Sequence, residues 1–162
     1  MAGDARFREA AGRVILTRWA EMMSYRDGTL LGEDIEELHS MRVSSRRLRA
    51  AMDAFEGAFP GRTFRPLLGR VKEITDTLGE ARDLDVAIER LTRLVPDTPA
   101  DERPGIEGLV ARYREDRAAE SPRIEALFAR LEEERFEEHL ARYMAKHTGI
   151  RLQKLNPQPP ED

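Results

Sequence analysis

Apolar residues along this chain recur at three- and four-residue spacings, and no stretch alternates convincingly with period two. The pattern predicts helices and no sheet. From about Asp4 to Arg26 one side collects Phe7, Ala10, Ala11, Val14, Ile15, Trp19, Met22 and Met23. Asp27–Gly32, with two glycines, reads as a turn. A second helix is expected from about Glu33 to Ala58, with Ile35, Leu38, Met41, Leu48, Met52, Phe55 and Phe59 as its apolar face and Pro60-Gly61 as its stop. A third runs from about Arg62 to Leu78 on Leu67, Leu68, Val71, Ile74 and Leu78, with Gly79 fitting a C-cap. A fourth, shorter helix follows from about Asp83 to Val95, and residues 96 to 105 form a loop with three prolines. A long helical region then extends from near Ile106 to about Leu155, where Pro122 is placed to kink or split it and Ser121 to cap the restart. The expected fold is all-α, an up-and-down bundle of long antiparallel helices. Residues 1–155 read as one domain and 156–162 as a flexible tail.

Composition agrees with this picture. A chain of 162 residues favours one domain with a real core. Charged residues make up 36 %, high for a sandwich or barrel but normal for a bundle with wet outer faces. The absence of cysteine excludes a disulfide framework, a thiolate nucleophile and a zinc–thiolate site. No run approaches the roughly 20 apolar residues of a membrane span, and Met1–Arg6 lacks the apolar core of a signal peptide. The expectation is a soluble, cytoplasmic protein with no membrane partner.

Charge changes the picture more. The net charge is −4, yet residues 39 to 82 hold nine Lys and Arg against five Asp and Glu. A basic insert in an acidic chain marks a local anion site. Its centre is Leu38–Arg49, which carries four arginines and a histidine and no carboxylate. At about 100° per residue, His39, Arg42, Arg46 and Arg49 fall within an arc of roughly 80°. The apolar face centres roughly 120° away, so the stripe borders the core-facing side and lines a groove between helices. A solvated cationic face is the plain alternative. On the third helix Arg65 and Lys72, seven residues apart, share a side, and Arg82 follows Gly79. Cations converging from two walls suit a multivalent phosphate ligand. Asp83 and Asp85 are two apart and so point to different sides of a helix, which disfavours paired acid/base catalysis. They read as helix-start acids, capping or favouring the dipole. No phosphate-cradling glycine loop is present. No ligand spacing supports a metal site, and no cofactor is expected.

Two motifs now stand in order: His39-x-x-Arg42-Val43-x-x-Arg46-Arg47-Leu48-Arg49, then Leu78-Gly79-x-x-Arg82-Asp83-Leu84-Asp85-Val86. Together they resemble the CHAD domain, the conserved histidine α-helical domain, with Lys72 where that family carries a basic residue ahead of the Leu-Gly. The resemblance implies a helical domain that binds inorganic polyphosphate through basic residues lining a central cavity. Carried over to this chain, those residues are His39, Arg42, Arg46, Arg49, Lys72 and Arg82, with Arg65 as a second-tier candidate. A usual CHAD domain has two related halves, and this chain resembles a short or half-length form. His139-x-x-Arg142-x-x-x-Lys146, with Arg135, repeats the one-face spacing but lacks the motif that should follow, so it reads as an ordinary amphipathic helix. A homodimer rebuilding the cavity from two copies, a half-domain and a fragment of a longer chain all remain open.

The expected function is therefore non-catalytic polyphosphate binding in a basic groove, in the cytoplasm and in association with polyphosphate granules. The alternatives are an enzyme acting on polyphosphate or a triphosphate, which needs cavity carboxylates, and a nucleic-acid-binding module. The latter is unlikely because no aromatic residue interleaves the stripe for base stacking.

Overall fold

The computed structural model describes residues 2–152 of the 162-residue chain. The helices are α1 Ala2–Met23, α2 Arg26–Leu31, α3 Ile35–Phe55, α4 Gly61–Leu94, α5 Arg103–Glu133 and α6 Phe136–Thr148, with 3-10 turns at Glu56–Ala58 and Val95–Asp97. There is no strand among the described residues, and the protein is an all-α bundle. α3 packs between α1 and α4, α4 packs on α5, and α6 packs on α1. The expected domain end at Leu155 and the tail from Asn156 lie outside the described residues.

The core follows the apolar stripes. Ile15 and Met22 of α1, Leu38, Met41, Leu48 and Met52 of α3, Phe64, Val71, Ile74 and Leu78 of α4, and Leu140 and Met144 of α6 are buried together. Four residues expected in it are not, the small Ala10 among them. Phe7, Val14 and Ile35 are exposed, and Leu16 is buried instead. Phe7 still finds Phe55, edge-on at 5.6 Å between ring centres. The helix joints carry local signals. Gly32 ends α2 in the left-handed region at φ 72°, where glycine has no Cβ to clash. Asp34 then caps α3, its carboxylate accepting from the Glu36 N–H at 2.9 Å. Asp27–Gly32 is thus mostly the short helix α2 and not an irregular turn.

Three expected boundaries are corrected. The third and fourth helices are one 34-residue helix, α4, about 50 Å long. Gly79 lies inside it and is not a C-cap. The buried positions Val71, Ile74, Thr75, Leu78, Ala81 and Asp85 keep three- and four-residue spacings straight through it, so the packing face never changes phase. α5 likewise passes through Pro122 without ending. Buried Ile124, Leu127, Phe128 and Leu131 extend its stripe beyond the proline, against an intrinsic cost of about 3 kcal/mol. Ser121 caps nothing; its hydroxyl accepts from Arg117 at 3.3 Å. The long C-terminal helix instead breaks at Arg135, which takes φ 51°. Between Leu131 and Phe136 the five-residue step leaves the apolar stripe about 140° out of phase, and one left-handed residue turns Phe136, Leu140 and Met144 back to the core. α6 ends at Thr148, not near Leu155.

Asp83 and Asp85 are also corrected, because neither stands at a helix start. Asp83 is exposed. Asp85 is buried and accepts from Arg117 Nε of α5 at 2.8 Å, with its side chain 6 % exposed and that of Arg117 19 %. This pair ties α4 to α5. Asp85→Ala leaves a largely buried guanidinium unpaired and is expected to cost about 3 kcal/mol in urea unfolding. Asp83→Ala should stay within about 0.5 kcal/mol of wild type.

Candidate functional site

The basic stripe of α3 lies along the seam with α4. Arg42 Nε sits 3.6 Å from where a Cβ on Gly79 would stand. Arg49 Nη1 lies 3.4 Å from Asp76 Oδ1 of α4, and Lys72 Nζ lies 3.5 Å from Asp53 Oδ1 of α3. These three contacts set an antiparallel register in which numbers rise on α3 as they fall on α4. Continued one turn beyond Arg42 and Gly79, it brings Arg82 level with His39. The Arg42 guanidinium thus lies against α4 at Gly79, where a methyl group would touch it at ordinary contact distance and a longer side chain would crowd it.

The cations on this seam fall into two groups. His39 Nδ1, Arg42 Nε and Arg82 Nη1 are each buried with no hydrogen-bond partner among the described residues. None of these side chains makes an ion pair there, and neither does the exposed Arg46. The other ring nitrogen of His39 and the remaining guanidinium nitrogens of Arg42 and Arg82 are unbonded and not buried. Each group thus has one dry edge against protein and one edge open. An unsatisfied buried donor costs about 1–3 kcal/mol, and a cation held this way keeps part of its charge unscreened.

The second group is compensated, although Leu38–Arg49 itself carries no carboxylate. Arg49 reaches Asp53 at 3.9 Å as well as Asp76, Asp53 also holds Lys72, and Arg65 pairs with Glu56 at 2.8 Å. The structure brings Arg49 and Lys72 to the seam but gives their charge to carboxylates, and Arg65 lies beyond them, exposed and paired. Asp53, Asp76 and Glu56 are thus the residues that sequence reasoning missed. Asp53 was legible, four residues after Arg49 on the same helix face; the others needed the register between helices.

The other arginine-rich regions differ. Along α4–α5, Arg123 pairs with Glu80 at 2.6 Å and with Glu120, Arg130 pairs with Glu73, and Arg70 with Glu134. The Arg123 pKa is raised, chiefly by hydrogen bonding to Glu80 and then Glu120. On α6, Glu138 takes both Arg135 at 2.7 Å and Arg142 at 3.1 Å. Its pKa is lowered mainly by the Arg135 hydrogen bond, and His139 is exposed. On this second stripe one carboxylate thus engages both arginines, while Lys146 makes no ion pair among the described residues. His147 packs on Tyr143 with ring centres 4.4 Å apart. Desolvation, then Lys146 and Arg8, lower its pKa, so the protonated form that would suit a helix C-terminus is disfavoured. A cleft of about 470 Å³ between α2, α4 and α5 includes Thr29, Ile35, Asp85 and Arg117 but none of the stripe residues.

Fold and site together define an all-helical protein with unpaired cations gathered between two antiparallel helices. A family model described as the CHAD domain matches residues 13–161, nearly the whole sequence, and the chain belongs to that family. CHAD domains are associated with polyphosphate- and triphosphate-related proteins. No curated protein and no solved structure matches the chain.

The role of Gly79 is testable by graded substitution. An added Cβ meets Arg42 only at ordinary contact distance, so Gly79→Ala should keep the seam and gain up to about 1 kcal/mol of stability from helix propensity. Gly79→Leu should push Arg42 out, keep the helical circular dichroism, and lower anion affinity in calorimetry.

Proposed function

We propose that this protein binds inorganic polyphosphate along the α3–α4 seam without processing it. The observation that carries the reading is the set of His39, Arg42 and Arg82, each with a buried, unpartnered nitrogen and an open edge. Arg46 adds an exposed cation on the same stripe. These groups are already partly desolvated and held, so an anion arriving at their open edges meets less of the usual ordering and desolvation cost. Arginine forks take non-bridging oxygens bidentately, and a polymer of phosphates engages the cations in succession, so each contact raises the effective concentration for the next. Arg49 and Lys72 follow on the same seam, each already facing a carboxylate.

Two observations favour this over the alternatives. Aromatic side chains near the seam are engaged with one another: Phe59 stacks on Phe64 at 4.9 Å and Phe7 meets Phe55. Base stacking, which a nucleic-acid binder uses, has no platform there. Of the acids an enzyme would need for a phosphate-bound metal, Asp76, Asp83 and Asp85, the last is engaged by Arg117 and Asp76 by Arg49, while Asp83 is exposed and makes no ion pair among the described residues. Among the described residues no three His, Asp or Glu converge as a metal set. No helix among those residues is long and apolar enough to cross a membrane; a cytoplasmic place beside polyphosphate granules belongs to this proposal. So does a homodimer that sets two seams against one polymer, which light scattering with and without polyphosphate counts.

Calorimetry with polyphosphate of defined length tests the reading. Arg42→Ala/Arg46→Ala should bind roughly tenfold to a hundredfold more weakly. Its plot of log affinity against log salt should be shallower by about one unit for each phosphate the variant no longer engages. Unchanged affinity would leave a helical scaffold with an incidental basic seam. Phosphate release with magnesium or manganese would favour the enzyme, and displacement by equimolar RNA or DNA the nucleic-acid module.

A further inference from the structure

The free charge on the seam is confined to one end. At the His39 end, Arg42, Arg46 and Arg82 make no ion pair among the described residues, and the exposed Asp83 beside Arg82 is within ion-pair distance of none of them. At the other end Arg49 and Lys72 face Asp53 and Asp76, two cations against two carboxylates, in contacts of 3.4 to 3.9 Å. One step further Arg65 is matched by Glu56. Potential along the seam therefore falls from strongly positive to near neutral within a few helical turns.

Resting on the polyphosphate reading, we infer that Asp53 and Asp76 set the length of the site, which takes a short run of phosphates at the His39–Arg82 end and stops where the carboxylates begin. The uncompensated stretch from His39 to Arg46 spans about 10 Å along α3, room for an oligophosphate or the end of a chain. Beyond it, each added phosphate meets a cation already facing a carboxylate. To bind there it must displace Asp53 or Asp76, and the freed carboxylate then lies beside the polymer and repels it. The pairs themselves are exposed and individually weak, so they do little for the fold. Their consequence is local: they cancel the field that would draw the chain further along.

The inference separates chain-length preference from affinity. Calorimetry with tri-, tetra- and hexaphosphate and longer polyphosphate, expressed per chain end, should show wild-type affinity levelling off at short length. In Asp53→Asn/Asp76→Asn the levelling-off should move to longer chains. Triphosphate affinity should change less than about threefold, while long chains gain roughly fivefold to tenfold from the two freed cations. Asp97→Asn/Asp101→Asn changes the net charge equally at the far end of α4, about 18 Å or more beyond Arg82 and outside the screening length; it should leave the length profile as in wild type. Thermal unfolding confirms that both variants are folded. A wild-type affinity that climbs steadily with length, or an equal gain at every length in the Asp53/Asp76 variant, overturns the inference and leaves the polyphosphate reading intact. Absence of binding at every length overturns that reading as well.

Discussion

Close packing of α3 on α4 across Gly79 is the constraint from which the rest follows. It brings the Arg42 guanidinium against the α4 backbone, with Nε 3.6 Å from where a Cβ on Gly79 would stand. It levels His39 with Arg82 and dries one edge of each. A chain with 24 arginines and 31 acids has the means to pair its cations, and it does so for Arg70, Arg123 and Arg130 along α4–α5. On the α3–α4 seam three basic side chains keep a buried nitrogen without a partner. At about 1–3 kcal/mol each, such donors are a large cost against the roughly 5–15 kcal/mol that holds a domain together. An anion at the open edges would meet other nitrogens of the same groups, already ordered and partly desolvated by the fold, which links the packing of the seam to the proposed ligand.

Much of the fold was legible in the hydrophobic pattern, and the misreadings share a cause. Residue type alone makes Gly79 and Pro122 look like interruptions. The buried positions run through both without a change of phase, and the tertiary face prevailed over local propensity. The true break at Arg135 carries no glycine or proline. Its signal is the five-residue step from Leu131 to Phe136, a slip of the apolar stripe that a reading by breaker residues passes over. Phe7, Val14 and Ile35 show the reverse limit: periodicity names a side of the helix, and neighbouring helices decide which edge of that side is covered.

The candidate site was legible where it depends on one helix and illegible where it depends on two. His39, Arg42, Arg46 and Arg49 share a stripe because 3.6 residues make a turn, whatever α3 packs against. That Arg42 crosses Gly79, that Asp76 reaches Arg49, and that Asp53 holds Lys72 follow from the register between α3 and α4. Asp85 marks the same boundary. Its place in the motif suggested an acid favouring the dipole at a helix start, whereas its partner is Arg117, 32 residues away in the chain. Side-chain charge is written in the sequence; cancellation of charge across a helix interface is a property of the packed protein.

On the proposed reading, particular guanidinium groups, and not basic charge in general, meet the polyphosphate. Nuclear magnetic resonance of the arginine Nε–Hε signals during a polyphosphate titration tests it most directly. Large, saturable shifts are expected for Arg42 and Arg82, with Arg117 and Arg123 unmoved because their carboxylates already hold them. Small shifts spread evenly over the exposed arginines, with Arg42 and Arg82 no different from the rest, would contradict it.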